Sequence, residues 1–338
     1  DSEIIIHLLA KPSYKTKIEG LIGAIKKLKG AYSLTCLTED YLVGVRDPHG
    51  WRPLSLGKLN GSWVLASETC AFDLIGAKYV REVEPGEVIV IGKDGIESHF
   101  PFENKKPKVS QCIFEYIYFA RPDSQVFGNN VALVRQKLGG ELAKKHPIDA
   151  DIVISVPDSG NFAALGYSKE SGIPYEIGFT RNHYIGRTFI NPAQHKRSFN
   201  VKIKLNPIPE VIKGKCVVVV DDSIVRGNTA RSRVEVLRGA GAKEVHLRIS
   251  CPPHKFPCYF GIDFPNPDEL IANRMTMEKI EKHLNVDSLG YLDTKDIRRA
   301  AGDEKADYYC MACFDGKYPE KVDEGLNKFS MGEGTLHG

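Results

Sequence analysis

The stretch VVVVDDSIVRGNTARS, Val217 to Ser232, decides the fold of the second half of the chain. Its four consecutive valines form a β-branched run of the kind that is buried on both faces of a parallel sheet. Ala230, Val234 and Leu237 then follow at i, i+4 and i+7, which predicts a helix. The residues between the valines and this helix therefore form the loop at the carboxyl end of a strand, where open α/β sheets bind their ligands.

This loop has the composition of a phosphate site. Backbone N–H groups and the positive end of the helix dipole favour an anion, and Gly227 allows the backbone to approach it closely. Asp221 and Asp222 would repel a phosphate unless they bind sugar hydroxyls or a bridging cation. The loop thus predicts a site for a phosphorylated ribose and Mg²⁺, with a solvated helix entry as the structural alternative. No Gly-Lys-Ser/Thr or GxGxxG pattern is present to indicate a Walker loop or a dinucleotide site.

Composition places the chain among globular proteins of about two domains. Its 338 residues are 42% hydrophobic and 26% charged, with a formal net charge of +3. This charge is too small to predict binding to nucleic acid or to a membrane, and no apolar run approaches the roughly 18 residues of a membrane helix. We expect a cytoplasmic protein, with a plastid address as the alternative. Its eight cysteines are then expected to be buried thiols or metal ligands instead of disulfides.

Two patterns of secondary structure divide the chain. Up to about residue 102, short alternating runs and the pairs Asn60-Gly61 and Asp94-Gly95 predict an antiparallel β domain with one helix at 15–29. A charged, proline-containing segment at 103–108 follows and predicts a domain boundary. Beyond it, apolar runs alternate with helical patterns and predict a doubly wound parallel α/β domain. These runs lie at 151–157, 173–179, 216–220 and 244–250. We expect domains at 1–105 and 106–325, and a tail at 326–338.

Longer segments resemble the glutamine phosphoribosylpyrophosphate (PRPP) amidotransferase family. They cover nearly the whole chain in the family's order: KGAY (29–32), RDPHGWRPL (46–54), FEYIYFARPDS (114–124), SVPDSG (155–160), RNHYIGRTFI (181–190), VVVVDDSIVRGNT (217–229), YFGIDFP (259–265) and CMACFDGKYP (310–319). The resemblance implies a truncated N-terminal nucleophile (Ntn) hydrolase domain, rich in β-structure, followed by a type I phosphoribosyltransferase domain. The chain departs from the family at Trp51, where isoleucine is usual, and at Asn161-Phe162, where smaller residues are usual.

The resemblance also implies a PRPP site. Asp221 and Asp222 would hold the ribose 2- and 3-hydroxyls and, with Ser159, place Mg²⁺. A flexible loop carrying Arg181, Tyr184 and Arg187 would close over PRPP and exclude water. The loop that would wrap the 5-phosphate consists of Ser223, Ile224, Val225, Arg226, Gly227, Asn228 and Thr229.

The implied reaction is a glycosyl transfer in which ammonia attacks C1 of PRPP and pyrophosphate leaves. The product is 5-phosphoribosylamine, and this is the first step of de novo purine biosynthesis. In the family an N-terminal cysteine releases the ammonia from glutamine, but this sequence has Asp at position 1. Asp1 matches the family's aspartate that binds the α-amino group of glutamine. We therefore expect the chain as given to start after the nucleophile and not to hydrolyse glutamine; use of free ammonia is the alternative.

The cysteines include one pair with metal-ligand spacing, Cys310-x-x-Cys313. Spacing alone leaves a zinc site, a redox pair and coincidence open. The resemblance adds Cys112 and Cys258, and implies that these four thiolates bind a structural [4Fe-4S] cluster. The thiolates alone would suit zinc as well as iron and sulfide.

Three functions are compatible with these observations. The first is the amidotransferase, with glutamine or ammonia as substrate, purine nucleotides as inhibitors and a homo-oligomeric assembly. The second is a PRPP-binding regulator, which would need a DNA-binding module and a basic face. The third is a salvage-type phosphoribosyltransferase, which would leave the first domain and the four cysteines unexplained. The first domain and the loop at 181–190 favour the amidotransferase.

Overall fold

The structure is a computed structural model of the chain that describes residues 3–10, 16–102, 107–182, 205–263, 266–302 and 307–322. Several predicted features lie outside these residues, namely Asp1, Tyr184, Arg187, the predicted boundary near residue 105 and the tail at 326–338. Within the described ranges, no helix is long and apolar enough to span a membrane.

Residues 33–99 form two antiparallel sheets. The first has the strand order β1-β2-β6-β7 and the second the order β4-β3-β5. The strands are β1 (Ser33–Leu37), β2 (Leu42–Arg46), β3 (Ser55–Leu59), β4 (Ser62–Ala66), β5 (Lys78–Glu82), β6 (Val88–Gly92) and β7 (Gly95–His99). The helices that accompany them are α1 (Glu3–Leu9), α2 (Lys17–Ile25) and α3 (Cys70–Ile75).

Both predicted hairpin turns are present in these sheets. Asn60 and Gly61 have φ of 48° and 91° and join β3 to β4, while Gly95, with φ of 121°, begins β7. Positive φ at such positions matches the right-handed twist of the flanking strands. The predicted helix at 15–29 is α2, which is shorter at both ends. Helices α1 and α3 were not predicted, because each spans less than two turns of the apolar period that indicates a helix.

The second half of the described chain is organised around a parallel sheet. Its strands are β11 (Ile152–Ser155), β14 (Cys216–Asp221), β15 (Glu244–Ile249) and β16 (Ser288–Tyr291), in the order β11-β14-β15-β16. Val217 to Val220 are buried in β14, as predicted. The buried residues of the following helix α7 (Asn228–Gly239) are Ala230, Val234 and Leu237, which confirms the periodicity. The parallel α/β fold is therefore confirmed.

One predicted strand of this sheet is wrong. In the run 173–179 only Tyr175 pairs with the sheet, as an isolated parallel bridge to Val153. Phe179 instead begins β12 (Phe179–Arg181), which pairs antiparallel with β13 (Leu205–Pro207) outside the main sheet. Pro174 has no N–H to donate, and the described pairing of this run with the main sheet is limited to the bonds from the Val153 N–H to the Pro174 carbonyl and from the Glu176 N–H to the Val153 carbonyl. Sequence pattern could not show that the apolar residues here face the sheet from a loop.

The remaining elements surround the parallel sheet. Short strand pairs are β8 (Gln111–Cys112) with β17 (Tyr309–Cys310), and β9 (Gln125–Val126) with β10 (Asn129–Asn130). The helices are α4 (Val131–Lys145), α5 (Asn161–Ser171), α6 (Pro209–Ile212), α8 (Ile271–Arg274), α9 (Met277–Leu284), α10 (Thr294–Ala300) and α11 (Ala312–Asp315). A π-helical turn spans Glu115–Phe119 and a 3₁₀ turn spans Pro267–Glu269.

The antiparallel sheets contact the rest of the chain through buried polar groups. Arg52 Nη1 donates to Glu115 Oε1 at 2.7 Å, and Ser124 Oγ donates to Glu68 Oε2 at 2.8 Å. The Cys112 N–H donates to the Trp51 carbonyl at 3.0 Å. Breaking such pairs leaves buried charge unpaired, so these contacts fix how the RDPHGWRPL segment lies against the residues around Cys112.

The RDPHGWRPL segment provides a pH-dependent contribution to stability. Burial raises the pKa of Asp47 to about 6, although backbone N–H groups of Trp51, Tyr32 and His49 and the charge of Arg46 oppose the shift. The folded chain therefore keeps a proton that an unfolded chain releases near pH 4. Raising the pH from about 4 to about 6 should consequently lower the free energy of unfolding, by at most about 3 kcal/mol from this group.

An Asp47→Asn variant isolates this effect, because its Oδ1 can still accept the N–H groups of His49 and Trp51. We expect the unfolding free energy of the wild type relative to Asp47→Asn to fall between pH 4 and 6. Denaturant unfolding of both proteins across this range measures it. Asp94→Asn, an exposed carboxylate in a turn that accepts Asn equally well, is the matched control. A flat difference for Asp47→Asn would contradict the account.

Candidate functional site

The parallel sheet reverses its strand order beside β11. After β11 the chain continues to Tyr175 on one side of this strand, and later returns as β14 on the other side. A crevice therefore opens between the carboxyl ends of β11 and β14, which is the ligand position in open α/β sheets. The segments that follow these two strands are 156–160 and 222–227. They contain the PDSG turn and the predicted phosphate loop.

Two buried carboxylates lie at the end of β14. The Asp221 side chain accepts the Asp222 backbone N–H on Oδ1 at 3.0 Å and Arg233 Nη1 on Oδ2 at 2.5 Å. Asp222 Oδ1 accepts the Ser223 hydroxyl. Each carboxylate oxygen has two lone pairs, so every one of these oxygens can still accept from a ligand hydroxyl or bind a cation.

The charge of Asp221 is governed mainly by its burial. Burial raises the pKa of Asp221, the positive charge of Arg233 opposes the shift, and the neighbouring Asp222 adds to it. An added cation in the crevice would favour ionised carboxylates for the same reason that Arg233 does. The site is therefore electrostatically prepared for positive charge near its carboxylates.

The loop that follows these carboxylates presents its backbone to the crevice. Within the described ranges, none of the N–H groups from Ser223 to Thr229 donates a hydrogen bond. Other groups hold the loop in place: the Val225 carbonyl accepts the Ile271 N–H at 2.9 Å, and Ile224 is buried in the core. The loop ends at Gly227, whose φ of 85° starts α7. Such a row of free N–H groups at a helix start binds anions.

The predicted residues of this loop differ in what their side chains do. Ser223 contacts Asp222, whereas Arg226 points away and donates from Nε to Glu269 Oε2 at 2.6 Å. Asn228 and Thr229 are exposed at the first turn of α7. The loop therefore offers an anion mainly its backbone, with Ser223 and Thr229 as candidate hydroxyl donors.

The turn after β11 forms the opposite wall of the crevice. Gly160 lies against β14, because a Cβ at this position would be 2.4 Å from the Val220 carbonyl oxygen. Ser159 is half-buried beside it, and the peptide bond between Pro157 and Asp158 is cis. Asp158 forms an ion pair with Arg181, so the structure brings this residue of the predicted closing loop to the PDSG turn.

The four predicted cluster ligands line one cavity. Cys112 and Cys310 are direct neighbours in the parallel pair of β8 and β17, and Cys313 follows on α11. Cys258 lies in the loop after β15 and accepts the Phe260 N–H on its sulfur at 3.4 Å. The cavity has a volume of about 20 Å³ and is lined by Trp51, Cys112, Ile113, Phe114, Cys258, Phe260, Ile262, Cys310, Ala312, Cys313 and Tyr318. None of the eight cysteines forms a disulfide; Cys251 and Cys313 are buried, and the other six are partly buried.

These four thiols are compatible with two kinds of metal site. Among the described residues, no three His, Cys, Asp or Glu side chains are close enough together to hold a metal ion. A zinc ion would draw its sulfurs to about 2.3 Å from the metal. An iron-sulfur cluster is larger and is held by four Cys thiolates. Four thiols around one cavity are a donor set that fits either a zinc ion or an iron-sulfur cluster.

Electrostatics around the cavity favour neutral thiols when no cation is bound. Burial raises the pKa of Cys112 and Cys313 strongly, and raises that of Cys310 to about 11. Smaller opposing effects come from the charge of Arg52 on Cys112 and from the Ala312 backbone N–H and the nearby Trp51 side chain on Cys310. Metal binding would deprotonate the thiols and reverse this preference.

Sequence analysis missed two residues at these sites. Arg233 reaches back from α7 to Asp221, although its position in the helix carried no motif that would indicate this. Trp51 was identified only as a departure from the family in the first domain, but its ring lines the cysteine cavity. Contacts between distant segments of the chain leave no local sequence signal. The one available signal was a large apolar side chain, Trp51, in an otherwise polar motif, because such a side chain is usually buried.

Comparisons with known proteins agree with this description. Residues 1–73 match the family model described as a glutamine amidotransferase domain. The chain is 52% identical over 325 residues to the chloroplastic amidophosphoribosyltransferase of Glycine max, covering 96% of this chain and 57% of that protein. It is 51% identical to the corresponding protein of Vigna aconitifolia, covering 97% of this chain and 67% of that one. The chain thus spans less than two thirds of several of these relatives.

A solved structure gives the same result. The glutamine PRPP amidotransferase from B. subtilis, complexed with ADP and GMP, matches with a TM-score of 0.89 at 44% sequence identity. The match covers 96% of this chain and 71% of that one.

The fold and the site together define a protein of the phosphoribosyltransferase type, joined to a glutamine amidotransferase-type β domain. The agreement extends over nearly all of the chain at about half identity. The chain belongs to the amidophosphoribosyltransferase family.

Proposed function

We propose that this chain carries the amidophosphoribosyltransferase reaction, in which ammonia displaces pyrophosphate from C1 of PRPP to give 5-phosphoribosylamine. This is a glycosyl transfer and would be the first step of purine biosynthesis. The observation that carries the proposal is the row of free N–H groups from Ser223 to Thr229, next to the buried pair Asp221 and Asp222. A phosphate fits the former and ribose hydroxyls fit the latter, so one phosphorylated sugar satisfies both.

This placement gives each part of the site a separate role in binding PRPP. The loop would bind the 5-phosphate through its backbone, and the two carboxylates would accept the ribose 2- and 3-hydroxyls. This fixes C1 toward the open part of the crevice near the PDSG turn and Arg181. No protein nucleophile is required, because positioning and charge stabilisation supply the catalysis. Residues on the predicted closing loop would exclude water that otherwise hydrolyses PRPP.

We propose Mg²⁺ as the cation of this site. Asp221, Asp222 and the Ser159 hydroxyl offer the oxygen donors that Mg²⁺ prefers, and Mg²⁺ commonly uses one or two carboxylates together with substrate phosphates. The absence of a cluster of three acidic ligands among the described residues is compatible with such shared binding. When bound, Mg²⁺ would neutralise charge on the departing pyrophosphate.

We also propose a [4Fe-4S] cluster held by Cys112, Cys258, Cys310 and Cys313. Support comes from the convergence of the four thiols on one cavity, with β8 and β17 joined by backbone pairing. The cluster would tie the segment after α10 to the body of the protein. Its role would be structural, since none of the residues that line the cavity belongs to the segments 156–160 and 222–227 of the crevice.

The family model at residues 1–73 supports glutamine as the natural source of ammonia. ADP and GMP in the B. subtilis structure support purine nucleotides as inhibitors of this chain, and we propose a homo-oligomeric assembly in keeping with the family resemblance. The reaction at the crevice can be tested without glutamine, because ammonium supplies the same nucleophile.

The test is release of pyrophosphate from PRPP by the purified chain with Mg²⁺ and ammonium at mildly alkaline pH, where more ammonia is unprotonated. We expect the rate to depend on both ammonium and Mg²⁺. A folded protein that binds PRPP but releases no pyrophosphate with ammonium would contradict the enzyme proposal and favour the PRPP-binding regulator. Pyrophosphate release with a free purine base, and not with ammonium, would favour a salvage-type enzyme.

Gly227 should determine how well PRPP binds. Its φ of 85° strains any side chain, and a Cβ would be 2.5 Å from the Cδ1 atom of Ile271. Gly227→Ala is therefore expected to displace the loop and raise KM for PRPP about tenfold, which corresponds to roughly 1.4 kcal/mol, with a smaller effect on kcat. Gly239→Ala at the other end of α7 is the matched control, since no atom lies within 4 Å of its added Cβ. Equal KM values for the two variants would show that the loop does not bind the substrate.

A further inference from the structure

Trp51 belongs to the segment that joins β2 to β3, and its side chain reaches the wall of the cysteine cavity. Its side chain is 1% exposed and stacks between two aromatic rings, with centroid distances of 4.3 Å to His49 and 4.3 Å to Phe260. The interplanar angles are 29° and 16°. The turn that presents it is held by Asp47, whose carboxylate accepts the Trp51 backbone N–H at 3.3 Å. The indole ring therefore has a fixed orientation at the wall of the cavity.

The indole N–H of this residue is buried without a hydrogen-bond partner among the described residues. Leaving a buried N–H unpaired is destabilising, so we expect this group to have an acceptor in the functional protein. The ring lines the same cavity as the four thiols. A neutral thiol is a weak acceptor, whereas a thiolate is a strong one.

The thiol that the indole N–H can serve is Cys310. The side chain of Trp51 and the backbone N–H of Ala312 both approach the Cys310 sulfur. Cys310 is also fixed in space, because it pairs with Cys112 between β17 and β8. A thiolate at Cys310 would therefore have a hydrogen-bond donor, the indole N–H, already in position.

We propose that the Trp51 Nε1–H donates a hydrogen bond to the Cys310 sulfur when the four cysteines bind their iron-sulfur cluster, and that this bond raises the cluster's reduction potential. The inference rests on the proposed cluster and adds a residue that tunes it. Reduction adds negative charge that is shared by the ligand sulfurs, so a donor to one sulfur stabilises the reduced cluster more than the oxidised one. Trp51 is a positioning residue and takes no part in the amination.

The test compares clusters reconstituted anaerobically with iron and sulfide in the 338-residue chain. Trp51→Phe keeps an aromatic ring between His49 and Phe260 but removes the N–H. We expect it to shift the ratio of reduced to oxidised cluster about tenfold toward the oxidised form at a given potential, about 59 mV lower for one electron. Replacing the indole of Trp51 with its benzothiophene isostere removes only the donor and should give the same shift. The reduction potential is measured by spectroscopic titration with a chemical reductant.

The second tryptophan supplies the control. Trp63 lies on β4 and stacks under Lys58 Nζ at 4.6 Å, outside the residues that line the cavity. Trp63→Phe should leave the potential unchanged. It also leaves Trp51 as the sole tryptophan of the chain, whose fluorescence should be quenched when the cluster assembles.

The outcomes separate the inference from the proposed function. Equal potentials for the wild type, Trp51→Phe and the isostere would overturn the inference while leaving the cluster in place. A shift with Trp51→Phe but none with the isostere would assign the effect to packing and overturn the hydrogen bond. Failure of the wild type to assemble a cluster would overturn both the proposed cluster and the inference. The proposed amination would be unaffected by that result, because it is tested separately by ammonium-dependent release of pyrophosphate.

Discussion

Asp221→Asn is expected to lower ammonium-dependent release of pyrophosphate by about a thousandfold, a loss of the size that follows removal of one preorganised charged group. Each carboxylate oxygen accepts from a donor: the Asp222 N–H on Oδ1 and Arg233 on Oδ2. An amide cannot accept from both, so its NH₂ group must face a donor or rotate the side chain out of place. The variant would also lose the charge that binds Mg²⁺ near the pyrophosphate.

Asp151→Asn is the matched control for this variant. Asp151 lies at the opposite, amino-terminal edge of the sheet, where its Oδ2 accepts the Cys216 N–H at 2.7 Å. It should retain near wild-type activity. Equal activity of Asp221→Asn and the wild type would contradict the assignment of the crevice. Equal loss in both variants would place the effect in the stability of the sheet instead of the site.

Gly139→Ala is expected to destabilise the protein by about 3 kcal/mol or more, at the upper end of what overpacking costs. Helices α4 and α5 touch through their backbones at this point. A Cβ on Gly139 would lie 1.8 Å from the Ala163 carbonyl oxygen, and one on Gly166 would lie 1.9 Å from that of Gln136. The helices must separate to accept it. Because α5 begins directly after Gly160, such a movement would also displace the PDSG turn.

The adjacent Gly140→Ala provides a control in the same helix. The nearest atom to its added Cβ is Glu170 Oε2 at 3.8 Å, an ordinary contact. Alanine has the higher helix propensity, so Gly140→Ala should stabilise the protein by about 0.5–1 kcal/mol. Denaturant unfolding midpoints of the two variants measure the difference. Similar midpoints would show that the backbones of α4 and α5 are not in contact.

Sequence patterns predicted an element of this fold correctly where the residues that determine it are close together in the chain. The four valines of β14 and the spacing of Ala230, Val234 and Leu237 are local, and all of these residues are buried as predicted. The run 173–179 has the same apolar character but contains Pro174, and only Tyr175 pairs with the sheet. Composition indicated burial there, but it could not distinguish a strand from a loop that packs against one.

The functional sites were also predictable only where their residues are close together in the chain. The phosphate loop is continuous in sequence, and its strand, carboxylates and glycine predicted its place at the edge of the sheet. Arg233 and Trp51 reach their sites through tertiary contacts, with Asp221 and with the cysteine cavity, that leave no spacing to find. Spacing also suggested only the pair Cys310 and Cys313. Cys112 joined this pair through the family resemblance, and the parallel pairing of β8 with β17 gives the physical reason.

The central claim is that nitrogen becomes bonded to C1 of PRPP in the crevice between β11 and β14. The most direct test is to supply the chain with isotopically labelled ammonium, Mg²⁺ and PRPP labelled at C1, and to follow the C1 resonance by NMR as pyrophosphate is released. The account predicts a new coupling between C1 and the labelled nitrogen, with inverted configuration at C1, and its loss in Asp221→Asn. Release of pyrophosphate with ribose 5-phosphate as the only product would contradict it, because the crevice would then deliver water to C1 instead of ammonia.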